Sequence, residues 1–408
     1  MTKNYEYLEK LAKKTITDCT FTKEFDFSGN LREIDLILPS GDGKYPSFWV
    51  RDSIMMIESG LVSVELVEKY IEIFATYGQN GENTIELENG LSVPPFAVCD
   101  HVNYNGKPVY FPGTYKDGSW QGEGRYGYLP PFCDNYYFIL LVKFYLDMGG
   151  KTKILEKDFN GYTLATRIEK ALSSYGIDKE TELCMSDEEK YTVDWGFVDS
   201  VKKTGKLLFA SILRYRAAKA LADICEKDGK KNYYTSLAQK IAYSIKKEFY
   251  DEKTGWLYSA TGLCHQLDVW GTAYAVYLEI IDEEKTYKAL VEGYRAKTAV
   301  CDGQIRQILT NCNFNSETAW ECSLAKLNTY QNGGFWATAT GWYAGAIYSY
   351  DKETAENIIS DFIAHTEKYK NDGSPYEWIN KDTSDFSGRL YGTSGVLPFL
   401  AYKEKFKA

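Results

Sequence analysis

The chain has 408 residues, of which 44% are hydrophobic and 25% are charged, and its formal net charge is −10. This is an ordinary globular composition, so it excludes a disordered chain, a collagen-like chain and a small disulfide-rich scaffold. The negative charge and the lack of a basic stripe argue against a nucleic-acid partner. No apolar run reaches the ~20 residues that cross a bilayer, so we expect no membrane partner either.

The start of the chain, MTKNYEYLEKLAKK, has no apolar signal segment after its charges. Tyr5, Leu8 and Ala12 instead follow helical spacing. Nine cysteines are scattered along the chain without any Cys-x-x-Cys pattern, at positions 19, 99, 133, 184, 225, 264, 301, 312 and 322. This pattern favours reduced, mostly buried thiols and, with the missing signal segment, a cytoplasmic protein.

Helical periodicity recurs along most of the chain, whereas residues 23–48 favour one or two short strands around EIDLILPS. The helices are predicted at 50–60, 64–77, 133–148, 205–227, 231–249, 267–281, 284–297, 334–349, 352–368 and 392–404. We expect one mainly α domain over residues 1–408, with a helix and short strands in 1–45 packed on it. The pattern predicts about six helical hairpins but does not predict whether they close into an (α/α)6 toroid.

Aromatic residues make up 15% of the chain, including 34 tyrosines, which exceeds what a core needs. Many lie beside carboxylates or amides in the segments 46–52, 117–124, 130–137, 191–199, 265–271, 329–336 and 374–380. Several of these segments precede a helix, so a single acid such as Asp134, beside Asn135, has an equally good explanation as a helix N-cap. Seven such clusters favour a shared ligand instead.

A sugar is the ligand that this mixture fits. Its C–H face packs on aromatic rings, while its hydroxyls bond Asp, Asn, Gln and Arg. No phosphate-binding Gly-rich motif with Lys is present, and GEGRYG at 122–127 has the wrong context. Cleavage of a glycosidic bond needs two carboxyl groups. Asp194 and Glu377 are the best candidates because each has aromatic neighbours, with Asp52, Asp268 and Glu123 as rivals.

Five motifs in order resemble those of the six-hairpin glycosidases, the superfamily of glucoamylase, trehalase, α-L-rhamnosidase and amylo-α-1,6-glucosidase-type enzymes. They lie between residues 46 and 403: Phe48-Trp49-Val50-Arg51-Asp52, Asp134-Asn135, Asp194 to Gly205, Tyr330-Gln331-Asn332-Gly333-Gly334-Phe335-Trp336, and Tyr376-Glu377-Trp378-Ile379-Asn380 followed by Tyr391-Gly392-Thr393-Ser394. Most relatives carry a β-sandwich domain before the toroid, and only a short segment precedes it here.

The resemblance implies a mainly α (α/α)6 toroid with small strands, and a hydrolase that inverts the anomeric carbon. Asp194 is then the general acid, with Asp199 as its competitor, and Glu377 is the base that deprotonates water. We expect the following residues to bind the substrate: Trp49, Arg51, Asp52, Trp120, Gln121, Asp134, Asn135, Trp195, His265, Asp268, Trp270, Gln331, Asn332, Trp336, Trp342 and Trp378. No cofactor and no metal is expected.

Long loops at one end of the ring favour a pocket, and therefore exo-type cleavage of a small glycoside or oligosaccharide of α-glucoside, mannoside or rhamnoside type. Alternatives remain open. A sugar epimerase on the same toroid would use His101 and His265, a polysaccharide lyase would use a tyrosine, and a zinc cyclase would use Cys264 with His265. A carbohydrate-binding protein without catalysis is the alternative from another class. The sequence does not predict the oligomeric state.

Overall fold

The computed structural model describes residues 2–45, 47–87, 90–111, 128–192, 194, 203–225, 228–309, 329–331, 333–368, 375–380 and 386–406. Within these ranges the chain forms twelve α-helices. In chain order they are Lys3–Cys19 (α1), Val50–Ile57 (α2), Val64–Ile73 (α3), Phe132–Asp147 (α4), Leu164–Leu172 (α5), Leu208–Ile224 (α6), Asp228–Phe249 (α7), Val269–Tyr277 (α8), Glu284–Arg295 (α9), Thr340–Ile347 (α10), Lys352–Lys368 (α11) and Gly392–Lys405 (α12).

The even-numbered helices form an inner ring. Each packs against the next, from α2 through α4, α6, α8 and α10 to α12, and α12 packs back against α2. The odd-numbered helices lie outside and each contacts at least one inner helix; α1 packs on α12 and α11. The chain is therefore a closed (α/α)6 toroid, and the mainly α fold predicted from the sequence is confirmed.

Burial explains why the helices sort into two rings. All nine residues of α8 and all eight of α10 are buried, because these helices have neighbours on every side. The outer helix α1 is amphipathic instead. It buries Leu8, Leu11, Ala12 and Ile16 on one face, and the Thr2 side chain caps its N-terminus by accepting from the Tyr5 N–H at 3.2 Å.

Short strands decorate the ring: Thr20–Asp26 (β1), Leu31–Ile37 (β2), Ser47–Trp49 (β3), Ile85–Glu86 (β4), Ser92–Val93 (β5), His101–Asn103 (β6), Pro108–Val109 (β7), Asp158–Phe159 (β8), Tyr162–Thr163 (β9), Met185–Ser186 (β10), Gly205–Lys206 (β11), Leu257–Tyr258 (β12), Leu267–Asp268 (β13), Val300–Cys301 (β14), Gln304–Arg306 (β15), Phe335–Trp336 (β16), Tyr376–Ile379 (β17) and Phe386–Leu390 (β18). The largest sheet has the order β14-β15-β16-β17-β18, and β3-β6-β7 form another. All named pairs are antiparallel.

Several predicted boundaries were wrong. The predicted helices that began at 205, 267 and 334 begin instead at Leu208, Val269 and Thr340, because the first residues of each predicted segment form a short strand. Helix α5 was not predicted. The hairpin β1–β2 confirms the strands predicted near EIDLILPS.

None of the helices in the described ranges is both long enough and apolar enough to cross a bilayer. Cys19, Cys99, Cys133, Cys184 and Cys264 carry buried free thiols, which fits the expected state of the cysteines.

Candidate active site

The segments that lead into the inner helices are hydrogen-bonded to one another. Strand β3 runs directly into α2 and β13 into α8, while β11, β16 and β18 end within a few residues of α6, α10 and α12. Backbone bonds join neighbouring segments: Val269 N–H donates to the Gln307 carbonyl at 2.8 Å, and Leu208 N–H to that of Ser259 at 3.1 Å. Side chains in the first turns of the inner helices therefore lie at one end of the ring, where the positive ends of the helix dipoles favour carboxylates.

Asp52 is a buried carboxyl at this end. It lies in the first turn of α2, is only 2% exposed, and accepts a hydrogen bond from the Tyr391 hydroxyl next to α12. Arg51 places Nη2 3.9 Å from Asp52 Oδ2. Burial raises the pKa of Asp52 and the negative charge of Asp100 adds to the rise, whereas Arg51 and Tyr391 oppose it. The predicted pair Arg51 and Asp52 is thus in contact.

Glu377 lies on β17 and is partly exposed. The Tyr45 hydroxyl donates to its Oε1 over 3.4 Å, and the Arg389 N–H on β18 donates to its Oε2 over 3.3 Å. Gly388 makes room for this carboxylate, because a Cβ on Gly388 would lie 2.1 Å from Oε2. The Tyr45 ring meets Trp49 edge to face at 4.9 Å. The predicted base therefore accepts hydrogen bonds on both carboxylate oxygens and is partly exposed.

Asp194 is more enclosed. Its Oδ2 lies 3.0 Å from the ammonium nitrogen of Lys203, and the two side chains are 1% and 2% exposed. Burial by itself lowers the pKa of Lys203, but attraction from Asp194 and then Asp268 outweighs burial and raises it. The predicted acid therefore forms a buried ion pair.

Asp268 caps helix α8, since its side chain accepts from the Gly271 N–H at 2.6 Å. Here the N-cap explanation is confirmed. Burial raises the pKa of Asp268 to about 6; Lys203 opposes this shift and Asp194 adds to it. Cys264 belongs to the same cluster, and burial raises the pKa of its thiol to about 12. Among the described residues, two aspartates and one neutral thiol thus lie near the Lys203 ammonium.

Asp134 and Asn135 lie in the first turn of α4, whose N-cap is Pro131. Asp134 is therefore not the cap, although it is completely buried. Asn135 fixes the neighbouring loop, because its Oδ1 accepts from the Val98 N–H at 2.7 Å.

Trp49 stacks on His101 with a centroid distance of 4.5 Å. His101 is 0% exposed, and its Nδ1 lies 2.7 Å from the Asp100 carboxylate. Trp49 is 8% exposed, so its ring covers the histidine. His265 stacks on Tyr258 at 3.8 Å and bonds the Ala260 carbonyl through Nδ1 at 2.8 Å.

Three predicted tryptophans lie within the aromatic core. Trp270, Trp336 and Trp342 are 1%, 2% and 5% exposed, and Trp270 lies 6.2 Å from each of the other two. The Trp270 indole N–H donates to the Ile305 carbonyl at 3.1 Å, and that of Trp336 to Tyr330 at 3.2 Å. These three indole groups therefore pack inside one end of the toroid and do not line an open surface.

The turn before β16 packs over a buried arginine. Gly333 has φ +101°, and a Cβ there would lie 2.0 Å from Nη2 of the fully buried Arg306. A Cβ on Gly334 would lie 2.9 Å from the Trp378 ring. Gln331 in this turn is buried. The turn therefore lies beside Trp336 on β16 and Trp378 on β17, two residues that were predicted to bind the substrate.

The predictions for Trp120, Gln121, Glu123, Trp195, Asp199 and Asn332 lie outside the described residues. Tyr45 and Lys203 were not predicted. Tyr45 lies four residues before Trp49, just before strand β3, which is the one signal that could have identified it. Nothing in the sequence singles out Lys203 among 47 Lys and Arg residues.

No protein-family model and no curated protein matches this chain. Solved structures do. A rhamnosidase from Klebsiella oxytoca with rhamnose bound superposes with a TM-score of 0.61 at 12% identity, over 100% of this chain and 64% of that enzyme. A glucoamylase from Saccharomycopsis fibuligera gives 0.57 at 14% identity, over 100% of this chain and 96% of the glucoamylase.

A GH78-family rhamnosidase from Bacillus sp. GL1 gives a TM-score of 0.57 at 12% identity, over 99% of this chain. The chain spans 35% of that rhamnosidase and 64% of the Klebsiella enzyme, which is less than two thirds of either. The likeness is one of fold: this chain has the architecture of the six-hairpin glycosidases, as its motifs predict.

Proposed function

We propose that this protein is a glycoside hydrolase that inverts the anomeric carbon and cleaves a small glycoside or oligosaccharide from one end. The observation that carries the proposal is the environment of Glu377. A partly exposed carboxylate with donors on both oxygens is suited to orient and deprotonate a water molecule. It lies at the end of the ring where buried carboxyls and aromatic rings collect, as expected for a sugar pocket.

In this mechanism Glu377 takes a proton from water as the water attacks the anomeric carbon. A second carboxyl gives a proton to the departing oxygen. The motif resemblance assigns that proton to Asp194, with Asp199 as its competitor. The motif resemblance also assigns substrate binding to Arg51 and Asp52, which lie beside the ring closure.

The names of the structural neighbours, a rhamnosidase and a glucoamylase, support rhamnosides and glucosides as the first substrates to try. The sugar epimerase alternative has less support. It requires His101 to reach the sugar, whereas His101 is fully buried beneath Trp49 and bonded to Asp100.

The test is a screen of aryl α-glycosides (gluco, manno, rhamno and galacto) and of disaccharides. Glu377→Gln should lower kcat on the best substrate by about 10²- to 10⁴-fold, which is the usual range for loss of a general base. Glu353→Gln is the matched control, because Glu353 is an exposed glutamate on the outer helix α11. A wild type that binds sugars but cleaves none of them would instead support the non-catalytic alternative. Full activity of Glu377→Gln would contradict the assigned base.

A further inference from the structure

The buried pair of Asp194 and Lys203 bears on which group donates the proton. Their charged atoms are 3.0 Å apart, and neither side chain is more than 2% exposed. In a site of low dielectric, an ammonium at this distance favours the ionised carboxylate over the neutral acid. A general acid has the opposite need, because it must carry a proton before it can give one.

Lys203 is held in place by backbone bonds on the residue that follows it. The Leu263 N–H donates to the Thr204 hydroxyl at 2.9 Å, and the Gly262 N–H donates to the Thr204 carbonyl at 2.9 Å. A Cβ on Gly205 would lie 2.5 Å from the Thr261 hydroxyl, so the two segments are in close contact. The backbone next to Lys203 is therefore fixed, so the ammonium stays beside Asp194 instead of moving as the ammonium of an exposed lysine would.

The groups around the pair come from several elements. Lys203 faces Asp194, Asp268 before α8, and Cys264 in the turn after β12. Asp194 also interacts with Cys133 on α4 and with Cys184 before β10. The thiols of Cys133, Cys184 and Cys264 all have raised pKa values because they are buried, so they remain neutral near pH 7. Cys133 also interacts with Asp134, Arg51 and Asp100, and Cys184 with Arg214, so these charges add to those of Lys203 and the two aspartates.

We propose that Lys203 is a positioning residue that holds Asp194 ionised, so that Asp194 serves the site as a fixed carboxylate and another carboxyl protonates the leaving group. This inference rests on the proposed hydrolase function, and it reverses the role that the motif resemblance assigns to Asp194. Two aspartates, Asp194 and Asp268, lie beside Lys203. Of these two, Asp194 forms the direct ion pair with the ammonium, which supports the proposal.

The kinetic test compares two leaving groups. A glycosyl fluoride needs no proton on departure, whereas an alkyl glycoside does. Loss of a general acid therefore leaves kcat/KM for the fluoride nearly unchanged and lowers kcat/KM for the alkyl glycoside by about 10²- to 10⁴-fold. We expect Asp194→Asn to lower kcat/KM by the same factor on both substrates and to keep the alkaline limb of the pH profile. Selective loss on the alkyl glycoside together with a missing alkaline limb would overturn the proposal.

A second measurement does not depend on turnover. Carboxyl ¹³C NMR of the aspartate-labelled protein at pH 7, with Asp194→Asn used to assign the signal, should show Asp194 as the carboxylate. In Lys203→Met the signal should move towards that of the neutral acid, and Lys203→Arg should restore the carboxylate signal. A neutral Asp194 in the wild type would overturn the inference even if no substrate were found. A wild type that cleaves no glycoside while its Asp194 stays ionised would contradict only the proposed function.

Discussion

Tyr391 donates a hydrogen bond from its hydroxyl to the carboxylate of Asp52, and so joins the start of the last inner helix to the start of the first. The residues are 339 positions apart in the chain. Both are buried, with exposures of 5% for Tyr391 and 2% for Asp52. This bond closes the toroid at the end where Glu377 and the other candidate residues lie.

Tyr391→Phe should therefore lower the free energy of unfolding by about 1–3 kcal/mol, because it removes a donor from a buried carboxyl. Chemical denaturation at pH 7 measures the change. Tyr294→Phe is the control, since the Tyr294 hydroxyl bonds Asp361 at an exposed site, and we expect almost no change there. If both variants lost the same free energy of unfolding, the bond between Tyr391 and Asp52 would contribute no more than an exposed hydrogen bond.

Asp268 should make stability depend on pH. Burial raises its pKa in the folded protein to about 6, above the ~3.9 of an unfolded chain. Folded Asp268 therefore binds its proton more tightly, and this contribution is complete below about pH 4 and is lost as the pH rises through about 6. Asp268→Asn keeps an N-cap residue and removes the charge, so it should be more stable than the wild type at pH 7.5, by the order of 2 kcal/mol.

Thermal unfolding at pH 4 and pH 7.5 checks this prediction, and the advantage of Asp268→Asn should vanish at pH 4. Asp251→Asn is a control of opposite sign. Burial raises the pKa of Asp251, but the hydrogen bonds from Thr254 and Lys253 together outweigh burial and lower it. That variant should lose stability at pH 7.5 rather than gain it. A wild-type advantage at pH 7.5 over Asp268→Asn would contradict the assigned pKa.

At the opposite end of the ring, Glu58 and Arg216 form an ion pair that lines a cavity of about 320 Å³. Arg216 Nη2 lies 2.5 Å from Glu58 Oε1, and each side chain is 15% exposed. Arg216→Met should cost about 3 kcal/mol, because it leaves the largely enclosed Glu58 carboxylate without its cation. The double variant with Glu58→Gln should recover part of that loss. A double-mutant cycle by denaturation tests this, and a double variant less stable than Arg216→Met would contradict it.

Tyr45→Phe should lower kcat about tenfold while changing KM little, since Tyr45 orients Glu377 rather than the sugar. Steady-state kinetics on the best substrate of the screen measures both constants. Tyr350→Phe provides a control, because Tyr350 is exposed on the far side of the outer ring. A change confined to KM would place Tyr45 against the substrate instead.

Helix α11 of the outer ring was predicted at its observed bounds, because an amphipathic helix shows a clear 3.6-residue period. Among the inner helices, α2 and α12 begin at the predicted residues. The start of α10 was predicted wrongly, since Phe335 and Trp336 belong to an apolar run that fits a strand or a buried helix equally well. Helix α5 was not predicted because it is short and its buried face carries the charged residue Arg167. The Arg167 guanidinium donates to the Phe159 carbonyl at 2.7 Å.

The candidate site was predictable in part. Asp194 and Glu377 stood out through their aromatic neighbours, and Arg51-Asp52 through its motif. Lys203 did not, because lysine is normally exposed and its contact with Asp194 depends on how the chain folds between them. Tyr45 was hidden among 34 tyrosines. The type of a residue indicates which chemistry it can perform, but the neighbour that sets its charge is brought close only by the fold.

In the proposed mechanism, water deprotonated by Glu377 displaces the leaving group at an anomeric carbon. Proton NMR during the first minutes of hydrolysis of an aryl glycoside from the screen tests this step. We expect the inverted anomer to appear first and to equilibrate later, and Glu377→Gln to release almost none. First release of the retained anomer would contradict inversion, and full release by Glu377→Gln would contradict the role of this residue.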